Sequence, residues 1–141
     1  MDRTYSIKEA AAETGVTAHT LRYYERIGLL EPVGREENGR RRYSGGDLYS
    51  VRFLTMLRAT GMPIRDMLVF MQLTRVGDET VSDRAELLER HQRELQFRLK
   101  ELAGHMEVLE RKIAWYRRRE QELAAEAAAE KHETAELVTA G

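Results

Sequence analysis

The sequence predicts a mostly α-helical fold: a winged helix-turn-helix unit followed by one long helix that pairs with another copy of itself. Three observations carry this expectation. Two short capped helices flank a glycine near the start of the chain. An Asn-Gly turn between short strands is followed by three consecutive arginines. A seven-residue apolar repeat then begins after about residue 81.

The first helix starts at Ser6, whose hydroxyl can cap it, and Glu9 three residues later completes a capping-box pattern. Ile7, Ala10 and Ala11 supply its apolar side, and Gly15 is placed to end it. Thr17 can cap the second helix, which holds His19 to Ile27 and stops at Gly28. Two short helices joined by a glycine-containing turn form the helix-turn-helix pattern. Pro32 and Gly34 break helix, and Asn38-Gly39 favours a two-residue hairpin turn in which both residues take positive φ. Short strands are therefore expected around Pro32 to Arg35 and Arg41 to Tyr43, and such a hairpin beside a helix-turn-helix is a wing. Ser44 caps a third helix to Ala59 with Leu48, Val51, Leu54 and Leu57 on its apolar side. Gly61 breaks it, Pro63 suits the first turn of a fourth helix carrying Ile64, Met67, Leu68 and Met71, and the polar stretch from Thr74 to Thr80 follows as a connection.

From Val81 the period changes. Leu88, Leu95, Leu102, Leu109 and Tyr116 recur every seven residues, and Leu99, Met106 and Ile113 recur at the same interval between them. An a/d repeat held for about four heptads is a coiled-coil seam. A helix of about 35 residues is about 50 Å long, too long to bury its stripe against the preceding residues alone, so a two-fold homodimer is expected. The expected domains are 1–76, with the helix-turn-helix at 6–27, the wing at 32–43 and the second helix pair at 44–73; then 77–123, the linker and dimerisation helix. Residues 124–141 lose the stripe, and a frayed or disordered tail is expected there.

Composition limits the chemistry. The chain has no cysteine, which removes disulfides, thiolate metal sites and thiol redox sensing. The four histidines are spread out, and neither a Gly-rich phosphate loop nor a nucleophile–base motif is present, so neither an enzyme nor a cofactor or metal is expected. No apolar run approaches a membrane span and the first residues lack an apolar signal core, so a cytoplasmic protein is expected. Residues 1–78 hold 12 Lys/Arg against 10 Asp/Glu, so total charge is a weak pointer; the clustering of Arg35, Arg40, Arg41 and Arg42 within eight positions is the stronger one.

The stretch TLRYYERIGLL, residues 20–30, has more polar and aromatic residues than a core can take. The second helix of a helix-turn-helix enters the DNA major groove. Thr17, His19, Thr20, Arg22, Tyr23, Tyr24 and Arg26 are therefore candidate DNA contacts, with Tyr24 equally readable as a core ring and Arg22 as a partner of Glu25. Arg40, Arg41 and Arg42 are candidate phosphate contacts of the wing.

YSIKEAAAETGVTAHTLRYYERIGLL, followed by ENGRRRYS and LRATGMPI, resembles the MerR family of bacterial transcription regulators over roughly residues 4–75. The resemblance implies recognition-helix contacts at Arg22, Tyr23 and Tyr24, wing contacts at Arg42 and Tyr43, and a further basic contact at Arg58. It also implies dimerisation through an antiparallel coiled coil, here with Leu88, Leu95, Leu99, Leu102, Met106, Leu109, Ile113 and Tyr116 in the seam. By the same resemblance the dimer binds a near-palindromic promoter operator in double-stranded DNA and bends or untwists it for RNA polymerase. The run Arg40-Arg41-Arg42 departs from the family's wing, where an aromatic often stands. Only about 20 residues follow the heptads, fewer than the large C-terminal domain of drug-sensing members. Residues 67–91 resemble the short members associated with aldehyde or stress responses. Met67, Phe70, Met71 and Trp115 are candidates for a small-molecule effector pocket, core and dimer packing being the commoner role of such residues. The competing function is a coiled-coil adaptor whose winged domain binds a protein partner.

Overall fold

The computed structural model describes residues 3–31, 34–35, 37–39 and 41–140, with the backbone but not the side chain of Arg41. Strand β1 (Thr4–Ser6) leads into helices α1 (Ile7–Thr14) and α2 (Ala18–Arg26). Strands β2 (Gly34–Arg35) and β3 (Arg41–Ser44) follow, then α3 (Gly45–Ala59) and α4 (Ile64–Val76). A 3-10 turn at Asp78–Thr80 precedes α5 (Val81–Ala140). The mostly helical fold with a small sheet and a long C-terminal helix is the one expected. Two compact units divide it, Met1–Leu95 and Gln96–Gly141.

The first unit is built on local signals. Ser6 caps α1, its hydroxyl accepting from the Glu9 N–H at 3.1 Å while Glu9 Oε1 accepts from the Ser6 N–H at 3.0 Å. Ser44 and Asp47 form the same reciprocal box at the start of α3. Thr17 caps α2 through the Thr20 N–H. Pro63 stands at the N-cap of α4 rather than in its first turn, one position earlier than expected. The core gathers Ala10, Leu21, Leu29, Val51, Leu54 and Met67, all fully buried, from α1 through α4. Leu87 of α5 joins this cluster.

Ser6→Ala is expected to cost about 1 kcal/mol, read as a lower denaturant midpoint. The Ser6 N–H, with a smaller contribution from the Ser6 hydroxyl, holds the Glu9 carboxyl below the ordinary 4.5. A depressed carboxyl stabilises the fold above that ordinary value, and the contribution is lost as pH falls through the lower folded value. The variant should therefore lose less stability than the parent on acidification below 4.5.

The sheet differs from a two-stranded wing. β1 joins it, giving the order β1-β3-β2 with both pairings antiparallel. Tyr5 lies opposite Tyr43 and Ser6 opposite Arg42; on the other side Gly34 faces Arg42 and Arg35 faces Arg41. Arg35 pairs with Arg41, a register that the expected two-residue turn at Asn38-Gly39 does not fit. Among the described residues only glycines take positive φ, so Gly39 (φ 81°) turns the chain without a left-handed Asn38. Arg35 Nη1 donates to the Gly39 carbonyl at 2.9 Å and braces this loop. Pro32 and Val33, part of the first expected strand, lie outside the described residues.

The second unit is helix alone. Leu99, Leu102, Met106, Leu109, Ile113 and Tyr116 are each 55–59% exposed, an apolar row on a polar helix. Beyond Leu123 the helix continues to Ala140, where a frayed or disordered tail was expected. The reason is local: AAEAAAE consists of strong helix formers, and Arg119 bridges to Glu122 and Glu126 while His132 bridges to Glu136.

Candidate nucleic-acid interface

Helix α2 has two sides. Leu21 and Tyr24, three residues apart, face the core, with Tyr24 only 2% exposed. His19, Arg22, Tyr23 and Arg26 follow the i, i+3, i+4, i+7 spacing of one helix face; His19, Arg22 and Arg26 are exposed and Tyr23 half-buried. The Arg26 guanidinium lies 5.6 Å from the Tyr23 ring centre, which orders a long cation on a fixed aromatic. Thr17 and Thr20 stand at the helix N-terminus with their hydroxyls 3.0 Å apart, where N–H groups and the helix dipole favour an anion.

Tyr24 is placed otherwise than a DNA contact. Its ring lies in the core with its hydroxyl beside Arg58 of α3, which raises the guanidinium above its ordinary value. Arg58 is exposed beside it and ties α3 to the recognition helix. Tyr43 is likewise fully buried and packs in the core rather than on the wing surface. Their neighbours Tyr23, packed against the core at one side, and Arg42 are each half-buried and keep part of their surface in solvent.

Arg42 is held at the centre of the sheet, its Nε donating to Thr4 Oγ1 at 3.0 Å. Arg40 lies outside the described residues, as does the Arg41 side chain, although its backbone is part of β3. The sequence reading missed three positioning contacts. Glu25 of α2 is nearly buried and pairs with Arg35 of β2 at 3.8 Å, joining recognition helix to wing. Arg75 of α4 donates to the Gly28 carbonyl at 2.7 Å and pairs with Glu31 at 3.5 Å, fixing the loop after α2. Thr4 anchors Arg42. All three join residues far apart in sequence except through the fold, and spacing carries no signal for them.

Leu88 and Leu95 are half-buried in the first unit, and the other six seam candidates line the exposed row of the second. The four effector-pocket candidates have different surroundings. Met67 is fully buried core. Phe70 and Met71 line a hollow of about 370 Å³. Trp115 belongs to the second unit, half-exposed, with its ring edge against Tyr116 and Lys112 over both rings. Among the described residues no group of three or more His, Asp or Glu could hold a metal, and no helix is long and apolar enough to cross a membrane.

The family model described as MerR family regulatory protein matches residues 6–43, which contain α1, α2, the loop and most of the wing. An HTH-type transcriptional regulator of Haemophilus influenzae is 37% identical over 115 residues, covering 82% of this chain and 85% of that protein. The chain belongs to the MerR family. Its helix-turn-helix, wing and long helix are those of a MerR-family transcriptional regulator, and its relatives are regulators rather than enzymes. The crystal structure of HiNmlR, a MerR family regulator lacking the sensor domain and bound to promoter DNA, superposes with a TM-score of 0.75 at 37% identity, over 82% of this chain and 92% of that one. A MerR family regulator of Listeria monocytogenes matches with a TM-score of 0.74 at 38% identity, over 77% and 83% of the two chains.

Proposed function

We propose that the protein is a sequence-specific DNA-binding regulator that acts as a homodimer on a near-palindromic promoter operator. The observation that carries this reading is the divided α2 helix: a core side that fixes its phase and an outward row of His19, Arg22, Tyr23 and Arg26. The likeness to a MerR regulator bound to promoter DNA supports it. Residues 1–76 form the DNA-binding domain and 77–123 the linker and dimerisation helix. Thr17, Thr20 and Arg42 contact phosphates, joined by Arg40 and Arg41 of the wing, while Tyr24, Tyr43 and Arg58 act by positioning. The exposed row from Leu99 to Tyr116 pairs antiparallel with its copy, which spaces two recognition helices for two half-sites. The bound dimer bends or untwists the promoter for RNA polymerase; smooth bending of 20–30 base pairs costs about 1–6 kcal/mol, within reach of the added contacts. The setting is cytoplasmic, and a small-molecule effector supplies the signal.

A gel shift against the intergenic DNA upstream of its own gene, with scrambled competitor and a salt titration, tests the reading. Specific, salt-sensitive retention at one near-palindromic site is expected. Salt-insensitive binding of a protein, with no DNA bound at low salt, would instead make it a coiled-coil adaptor. Arg42→Ala should weaken binding to operator and scrambled DNA alike. It should also flatten the log–log salt slope by about 0.9 per lost phosphate contact, or about 1.8 for the two copies in a dimer. An unchanged slope would remove Arg42 from the phosphate contacts.

A further inference from the structure

Two hollows flank Leu88, and they differ in chemistry. One, of about 290 Å³, is lined by Met56 of α3 and by His91, Gln92 and Leu95. Leu88 and Leu95 are seam positions, so this hollow lies on the line of the proposed dimer contact. The other, of about 370 Å³, lies between α3, α4 and the first turns of α5. Its size falls in the range of small-molecule sites, about 300–1,000 Å³.

The floor of this second hollow is apolar: Phe53 and Phe70, with ring centres 5.4 Å apart and tilted by 39°, together with Met71 and Leu88. Its wall carries hydroxyls from Ser50 and Thr74, and Tyr49 stands at the mouth, 71% exposed. One cation reaches it. Arg84 lies one turn into α5, its Nε donating to Thr80 Oγ1 at 3.1 Å and its Nη2 to the Gly77 carbonyl at 2.9 Å. Guanidinium has five N–H groups in a planar fork, so its donors exceed those used at the hinge. An aromatic floor, neutral hydroxyls and a single guanidinium at one end make a site for a molecule with a hydrocarbon body and one carboxylate.

We propose that this hollow binds a small amphipathic acid, an aryl or branched-aliphatic carboxylate whose anionic end meets Arg84. This rests on the reading of the chain as an effector-responsive regulator and names the class of effector. The place is suited to regulation. Arg84 holds Gly77, whose φ of 104° and ψ of −150° is a conformation open to glycine and strained for other residues. A ligand seated on Arg84 touches the joint between α4 and α5, the helix that carries the dimer seam.

The test is fluorine NMR of full-length protein with 4-fluorophenylacetate, and with 4-fluorobenzyl alcohol as the neutral counterpart. Saturable binding is expected at one site per chain, with the acid bound about tenfold more tightly. Arg84→Gln should remove that preference while leaving the alcohol bound. Thr74→Trp, which fills the hollow and keeps Arg84, should abolish binding of both. The proposal is overturned if neither probe binds the parent protein at millimolar concentration, if binding survives Thr74→Trp, or if only a Leu102→Glu monomer binds, since a partner helix then occupies the hollow. DNA is absent from this assay. Binding without an operator shift would keep the site and remove the regulator reading, and the reverse result would remove the site alone.

Discussion

Leu102→Glu is expected to yield monomers in sedimentation and to lose operator binding in the same preparation. Leu102 lies at the centre of the seam, with Leu95 and Leu109 seven residues to either side, and is 58% exposed on a single helix. In an antiparallel pair each copy brings its own substituted residue into the seam, so one substitution puts two carboxylates away from water. The effective penalty is several kcal/mol per buried ion, enough to weaken the dimer at least about a thousandfold. Leu102 is not part of the first unit's core cluster, so the helical signal in circular dichroism should fall little. A dimer that survives would refute the seam.

Arg22→Ala is expected to lower affinity for the operator at least about 30-fold, the equivalent of about 2 kcal/mol or more for one lost base contact in each half-site. Affinity for scrambled DNA should change little. Arg22 is exposed on α2 between the buried Leu21 and the half-buried Tyr23, so its removal opens no cavity and the melting temperature should hold. Competition binding with operator and scrambled duplexes separates the two roles open to it. An equal loss on both, with a flatter salt slope, would make Arg22 a phosphate contact and move base reading to its neighbours on the same face.

The contrast with Arg42 shows what could be read before the fold was in hand. Signals confined to a few residues were legible: the boxes at Ser6/Glu9 and Ser44/Asp47, the cap at Thr17, the stop at Gly28, and the seven-residue row of α5. Each depends on atoms within one or two turns. Strand β1 was not legible, because three residues make no pattern and Thr4–Ser6 is a strand only by pairing with β3. The inward turn of Tyr24 was available from its three-residue spacing to Leu21, whereas that of Tyr43 depends on which face of the sheet the core covers. At α5 the error ran the other way. Loss of the apolar row is not loss of helix, because alanine and glutamate hold a helix by local propensity without a partner.

The clamp between Thr4 and Arg42 has a consequence in time. The capping boxes and the turn between α1 and α2 close over a few residues, and helix–coil steps take about a microsecond or less. The β1–β3 pairing joins positions 38 apart, and closing so long a loop costs chain entropy before any contact repays it. Refolding from denaturant should therefore show helical signal ahead of protection of the β3 amides against hydrogen exchange. For a short interval the chain would hold a recognition helix without the sheet that orients its wing.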